Sequence, residues 1–354
     1  MVHLSNIIDS AAVTPESKER SIASKIFQTL GNGNLMRLRR VSSSFRILVD
    51  NYISEWLDID ACLARYLGSE TQARQFRRQQ HILGAVLSSY WSYCFLLRAA
   101  LLIPTLVPLD VFVDHDSVPD LVNFLRRIGF QYCTVLMQRY QNDVECFRMV
   151  YQGNQELAHG SMEGTILYCF TNRRVLIRVF GATHGIVNAV FEQNSSKYTF
   201  HQQIADTLFN DVVALVYHLI SATDAWSMFP ASTFDDEGPS VDIAAKTFSF
   251  ITGGCRGGLT LDVSHLECPL GKEFAPGPHQ FGDSAMWRIR LKPFDSEVNL
   301  SNSLLTLHGW SVVHFPSRVQ VIYRLTDCGY LYQKHSMPRF VDIIVESYEQ
   351  IAEQ

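Results

Sequence analysis

The run from Tyr90 to Val113 is apolar over a length that could cross a bilayer, and the residues that interrupt it constrain the fold. Arg98 and Asp110 would be costly inside lipid, and Pro104 and Pro108 break any continuous helix. The run therefore divides into a buried helix, a proline turn and a core strand. Elements this apolar need covering, so the rest of the chain must supply further strands and packing helices. A composition of 47% hydrophobic and 18% charged residues suits such an interior. At 354 residues there is room for about two domains.

The formal charge of −5 predicts neither nucleic acid nor a membrane as partner. Arg37-Leu38-Arg39-Arg40 is a local basic turn, read as the solvated face of a helix. The eight cysteines lie apart, with no Cys-x-x-Cys pair and no histidine at zinc-ligand spacing. Segments such as Tyr93-Cys94-Phe95 and Tyr168-Cys169-Phe170 predict buried reduced thiols. No metal and no cofactor is expected. Met1-Val2-His3-Leu4-Ser5-Asn6 lacks the features of a signal peptide, which predicts an intracellular chain, cytoplasmic or nuclear.

The pattern along the chain predicts an α+β fold with a small helical module first. Residues 1–17 read as an N-terminal tail, with Thr14-Pro15-Glu16 as the first helix-start signal. Within 18–56, Ile22, Ile26, Phe27 and Leu30 form one helical stripe. Gly31-Asn32-Gly33-Asn34 breaks it, and Leu35, Leu38, Val41, Phe45, Leu48, Tyr52 and Trp56 form a second. Residues 57–80, with Arg74, Arg77, Arg78, Gln79 and Gln80, read as a polar helical connector. Residues 81–235 read as mixed α/β, with a strand and helix in Ile82–Leu97 and a strand at Val107–Val113. Val118–Ile128 is an amphipathic helix closed by Gly129, and Thr165–Phe170 with Val175–Phe180 is a hairpin. Ile204–Ile220 is apolar nearly all round and reads as a central buried helix. The acidic loop Asp235-Asp236-Glu237 marks a boundary, and 236–354 forms an α/β extension. That extension carries strand-like runs at Trp287–Leu291, Ser311–His314 and Val319–Tyr323, then a helix from Arg339 to about Ala352.

Clustered chemistry is scarce. Asp110, Asp114, Asp116 and Asp120 crowd around His115, but acids between a strand and the next helix are ordinary loop and cap residues. Gly253-Gly254-Cys255-Arg256-Gly257-Gly258 has no following Lys-Ser/Thr and reads as a hairpin tip between strands. No Gly-x-Ser-x-Gly elbow is present.

Two resemblances sharpen this reading. Ile26-Phe27 and Leu30, then Leu35-Met36-Arg37-Leu38-Arg39-Arg40-Val41-Ser42 and Phe45-Arg46-Ile47-Leu48-Val49, resemble the F-box over about residues 18–50. The pattern departs at Lys18-Glu19, where the family has the Leu-Pro pair that packs on its adaptor. The resemblance implies binding to a Skp-type adaptor of a ubiquitin ligase through Ile26, Leu30, Leu35, Leu38, Val41 and Phe45, more weakly than a typical F-box.

From about Gln80 to Phe234 the chain resembles nucleotidyltransferase-like proteins of mushroom-forming fungi, some of which begin with an F-box. The matching segments are Gly84-Ala85-Val86-Leu87-Ser88, Phe95-Leu96-Leu97-Arg98, Leu109-Asp110-Val111-Phe112-Val113, Phe124-Leu125, Gly129-Phe130, Val175-Leu176-Ile177-Arg178 and Met228-Phe229-Pro230-Ala231-Ser232-Thr233-Phe234. In that family a Gly-Ser turn cradles the triphosphate and paired aspartates hold Mg²⁺. Here Ser89-Tyr90 stand at the Gly-Ser position, and Pro108 and Asp110 at the two aspartates. The third strand offers Leu176 or Arg178. One aspartate cannot hold two metal ions, so the resemblance implies a pseudoenzyme with no catalytic residues. The expected role is recruitment of an unidentified protein client to the ligase. The alternatives are a nucleotidyltransferase with a rearranged site around Asp110, and a structural protein whose helices pack only on its own second domain.

Overall fold

The computed structural model describes residues 22–98, 100, 105, 107–133, 147–148, 151, 161–162, 165–183, 185–187, 189–190, 218–228, 230, 249–250, 258–262, 275–283, 286–294, 309–315 and 318–324. The fold is mixed α/β: among the described residues five α-helices precede the first strand, and two more lie between the first strand and the third.

The first stripe is α1 (Ile22–Thr29). The break after it is shorter than its Gly and Asn content predicts, because α2 (Asn32–Arg39) begins inside it. Asn32 is anchored there, its side-chain amide donating to the Leu96 carbonyl at 2.9 Å. The second stripe is not one helix but two. α3 (Ser43–Trp56) starts anew because Ser42 is extended and its hydroxyl accepts from the Phe45 N–H at 3.2 Å.

Residues 57–83 fold as α4 (Ile59–Leu67) and α5 (Glu70–Leu83). Asp58 and Ser69 cap their N-termini, and Gly68 and Gly84 close them in the left-handed conformation. Their polarity reads as solvent-facing, yet Arg77 is fully buried. Its guanidinium donates to Asp60 at 3.0 Å, to the Ala222 carbonyl at 3.1 and 2.7 Å, and to the Lys292 carbonyl at 2.6 Å. It also lies 4.9 Å from the Phe294 ring centre. Periodicity cannot separate a solvated cation from one that gathers carbonyls far away in sequence.

The main sheet has nine strands among the described residues. In chain order these are β1 (Val86–Ser88), β2 (Leu109–Asp114), β3 (Gln131–Cys133), β4 (Ser161–Met162), β5 (Thr165–Thr171), β6 (Leu176–Ala182), β7 (His218–Ile220), β8 (Asp224–Ser227) and β12 (Trp287–Arg290). The spatial order is β12-β8-β7-β1-β2-β6-β5-β3, with β4 also on β5. All neighbours are antiparallel except β2 and β6, which run parallel. The apolar run Tyr90–Val113 contains α6 (Tyr90–Leu96) and most of β2, with Pro108 immediately before the strand. The hairpin expected across Thr171–Arg174 is β5–β6, and α7 (Val118–Arg127) is the amphipathic helix, followed by Gly129 at φ 94°.

One expectation fails in its described part. His218–Ile220, read as the end of the helix Ile204–Ile220, is strand β7, with Ile220 paired to Leu87. A segment apolar on all sides suits a strand buried in a sheet as well as a helix, and here sheet pairing decides. Residues 204–217, Thr14-Pro15, the acidic loop 234–238 and the helix expected at 339–352 lie outside the described residues.

A second, antiparallel sheet has the order β11-β13-β14-β10-β9. Its strands are β9 (Ser249–Phe250), β10 (Gly258–Asp262), β11 (Gly277–Gln280), β13 (Gly309–Phe315) and β14 (Arg318–Arg324). β9 pairs antiparallel with β10, Phe250 with Leu259 and Ser249 with Thr260, while residues 251–257, which hold most of the expected hairpin tip, lie outside the described residues.

The core joins the N-terminal helices to the main sheet. Phe27, Leu35, Tyr52, Leu63, Phe76, Val111, Ile177 and Trp287 belong to one buried cluster. Polar ties reinforce it. Arg98 donates to the Leu30 carbonyl at 2.7 Å and to the Tyr52 hydroxyl at 3.1 Å, and Arg65 donates to the Ala100 carbonyl at 3.0 Å. Among the described residues no helix is long and apolar enough to cross a membrane.

Candidate functional site

Register places a row of small and polar residues straight across the main sheet. Ser88 pairs with Asp110, Asp110 with Arg178, Arg178 with Cys169 and Cys169 with Cys133. Register partners share a face, and successive residues of a strand alternate between faces. The row therefore lies opposite Val111, Val113, Ile177 and Val179, which belong to the core cluster.

At its centre Arg178 grips Asp110 with both prongs of its fork, Nε to Oδ1 at 2.6 Å and Nη2 to Oδ2 at 2.6 Å. Both side chains are buried. Two residues further along the same strands, Phe112 and Phe180 stack with ring centres 4.5 Å apart. Burial alone would lower the Arg178 pKa. The charge and hydrogen bonds of Asp110 outweigh it and hold the guanidinium above its ordinary value. On either side, the Ser88 hydroxyl donates to the His218 carbonyl at 2.8 Å, and the Cys133 thiol to the Cys169 carbonyl at 3.5 Å. Burial pushes the Cys169 thiol up, so it carries no reactive thiolate. It also pushes His218 down to about 3, keeping the ring neutral at ordinary pH. The ring of His218 stacks on Tyr93 at 5.6 Å, and Tyr93 lies 6.3 Å from Tyr90.

The turn from β1 into α6 retains a backbone that suits glycine. Ser89 sits at φ 77° and ψ −162°, a region populated almost entirely by glycine. Its hydroxyl is buried and has no hydrogen-bond partner among the described residues. Both features cost stability. Ser89→Gly is therefore expected to raise the unfolding free energy by about 1 kcal/mol, after the extra chain entropy of glycine is offset. Paired urea titrations check this, and a loss of stability would show that the serine is held by contacts stronger than its strain.

This arrangement does not suit two-metal chemistry. A divalent ion at Asp110 would have to displace a bidentate guanidinium and then sit beside its fixed charge. Pro108 is buried and offers no ligand atom. Of the other acids near His115, Asp114 ends β2, Asp116 lies in a 3₁₀ turn and Asp120 lies in the first turn of α7. His115 itself faces the Tyr168 hydroxyl at 3.0 Å and stacks on Tyr151 at 4.8 Å. Among the described residues no three His, Cys, Asp or Glu side chains converge in a way that could hold a metal ion.

The N-terminal side chains expected to meet an adaptor divide into three kinds. Leu35 is fully buried, while Leu30, Leu38 and Phe45 are partly buried against the core. Ile26 is 46% exposed and Val41 67%. Ile47, outside the expected set, is 61% exposed. In the basic turn Arg37 and Arg40 are exposed and Arg39 pairs with Asp50 at 2.6 Å.

Sequence reasoning treats Asp110 as solitary and misses its partner, although a signal was present. Asp110-Val111-Phe112 and Arg178-Val179-Phe180 carry opposite charges at the same spacing from a phenylalanine. No known protein family, curated protein or solved structure matches the chain.

Proposed function

We propose that the chain is a non-catalytic interaction protein of the F-box type, a substrate receptor for a cullin–RING ubiquitin ligase. In this reading α1 to α3 contact a Skp-type adaptor and the strand-rich remainder binds a protein client. One observation carries it. Among the described residues four large apolar side chains are exposed, and three of them, Ile26, Val41 and Ile47, fall within α1 to α3 and their connections. Exposed apolar groups concentrated in one segment are what a docking surface requires. Leu35 supports the helices from inside, leaving Ile26 and Val41 as the first contacts, with Leu30, Leu38 and Phe45 at their margin.

The non-catalytic half of the reading is supported by the Asp110–Arg178 pair and by Ser89. A glycine-like backbone turn persists where the resemblance puts a phosphate cradle, while the carboxylate that would hold Mg²⁺ is spent on an internal ion pair. The chain is therefore expected to give no nucleotidyl transfer from labelled ATP, GTP, CTP or UTP with Mg²⁺ or Mn²⁺, relative to heat-killed protein. Turnover that disappears in Asp110→Asn would contradict this and favour a rearranged nucleotidyltransferase.

A second reading has its own support. The bonds from Arg98 to Leu30 and Tyr52, and from Asn32 to Leu96, tie the helices to the sheet-bearing part. Helices held this way could serve only to complete the core. The two readings part on adaptor binding. Co-expression of the full-length chain with a Skp-type adaptor should recover a complex under the first and nothing under the second.

A further inference from the structure

Four Arg-Arg pairs occur in the chain, at 39–40, 77–78, 126–127 and 173–174. Only the first has a hydroxyl two residues on, in Arg39-Arg40-Val41-Ser42. A kinase whose substrate groove carries carboxylates selects this charge pattern, with arginines three and two residues ahead of the accepting serine.

The fold presents the pattern on its surface. α2 ends at Arg39 and α3 begins at Ser43, so Arg40, Val41 and Ser42 form the connection. Arg40, Val41, Ser42, Ser43 and Ser44 are all exposed. Ser42 is extended, at φ −158° and ψ 166°, and its hydroxyl accepts from the Phe45 N–H at 3.2 Å. A hydroxyl that accepts keeps its own proton to give up. Ser43 and Ser44 lie in the first turn of α3, whose helical backbone does not match an extended substrate groove. Ser42 therefore combines the arginine spacing with the backbone that transfer needs. Arg39 is held by Asp50 at 2.6 and 3.3 Å, but the two side chains are 27% and 43% exposed. A pair this open is weakly held, and a carboxylate of the kinase can take the place of Asp50.

The surroundings also suit a phosphate once it is attached. No aspartate or glutamate lies between Glu19 and Asp50, an interval holding six cations on a chain of net charge −5. Arg40 and Arg46 are exposed and have no acidic partner among the described residues. The first turn of α3 holds no acid, and Arg46 stands four residues after Ser42, one helical turn along. A dianion at the start of a helix and beside a cation is stabilised by both.

We propose that Ser42 is a phosphorylation site for a serine/threonine kinase that selects basic substrates. The phosphate then fastens the start of α3, accepting from its first N–H groups and from Arg46. In the transfer, Ser42 Oγ bonds to the γ-phosphorus of ATP as the bond from that phosphorus to the β–γ bridging oxygen breaks. ADP leaves with that oxygen, and the hydroxyl proton passes to the kinase's base. The site is independent of the adaptor reading, which rests on the apolar side chains of these helices.

The test incubates the full-length chain with the catalytic subunit of a cyclic-AMP-dependent kinase, ATP and Mg²⁺, and locates phosphate by peptide mass spectrometry. Phosphate is expected at Ser42, and Ser42→Ala should abolish incorporation. For Arg40→Ala, kcat/KM should fall by about tenfold or more. Arg40 is exposed, and matched thermal melts confirm that the variant folds. Phosphorylation should slow amide exchange at Ser44 and Phe45 by about threefold or more. Arg46→Ala, altered beyond the acceptor, should be phosphorylated at the parent rate yet lose most of that slowing. No phosphate on the folded chain, or phosphate confined to Ser43 or Ser44, would overturn the site. A peptide of residues 35–46 that is nonetheless phosphorylated would trace that failure to the fold. Unchanged exchange after full phosphorylation would overturn the fastening of α3.

Discussion

Arg178→Met is expected to destabilise the folded chain by about 3–5 kcal/mol, because it leaves the Asp110 carboxylate buried without its counter-charge. Both carboxylate oxygens are engaged by the guanidinium, and both side chains are buried beneath the sheet face. Asp110→Leu should cost a similar amount for the complementary reason. The double variant Asp110→Leu/Arg178→Met should recover most of the loss, to within about 1 kcal/mol of the parent, since an apolar pair of similar volume avoids both desolvation penalties. Urea titrations of the four proteins give the coupling energy. Single variants that each lose less than about 1 kcal/mol would mean that water reaches the pair and that the site is open.

Arg77→Met should be comparably damaging, again by about 3–5 kcal/mol, or on the order of 10 °C in melting temperature. Here the loss is shared among several groups. Asp60 loses its partner, and the carbonyls of Ala222 and Lys292 lose a charged donor. Those groups come from α4, the β7–β8 turn and the segment after β12, so one side chain fastens three regions to α5. Arg77→Lys keeps the charge but cannot span the same acceptors, and should fall between parent and methionine variant. A melt unchanged by both substitutions would show that the helices are held without this cation.

Much of the local structure was legible before any geometry. The period-two pattern of Thr165–Phe170 and Val175–Phe180 found β5 and β6, and Gly129 marked the end of α7. Capping chemistry at Ser42 carried a boundary that hydrophobic periodicity overlooked, since the stripe from Leu35 to Trp56 runs in phase across it. Misreadings arose where a residue's role depends on distant groups. Arg77 is polar in a polar stretch, and only the carbonyls of Ala222 and Lys292 make it an interior residue. His218–Ile220 ends a segment that is apolar nearly all round, and only pairing with β1 and β8 makes it a strand. The site was half legible. Ser89, Pro108 and Asp110 stood out as departures from a pattern, but the Asp110–Arg178 pair required the register of β2 against β6.

Hydrogen exchange on the full-length chain, with and without a Skp-type adaptor, tests the recruitment reading most directly. If α1 to α3 form the docking surface, the adaptor should slow exchange around Ile26 and across Val41–Ile47, and leave β2, β6 and α7 unchanged. Absence of any protected segment, or protection confined to the sheet, would contradict it and leave the helices as a part of the core alone.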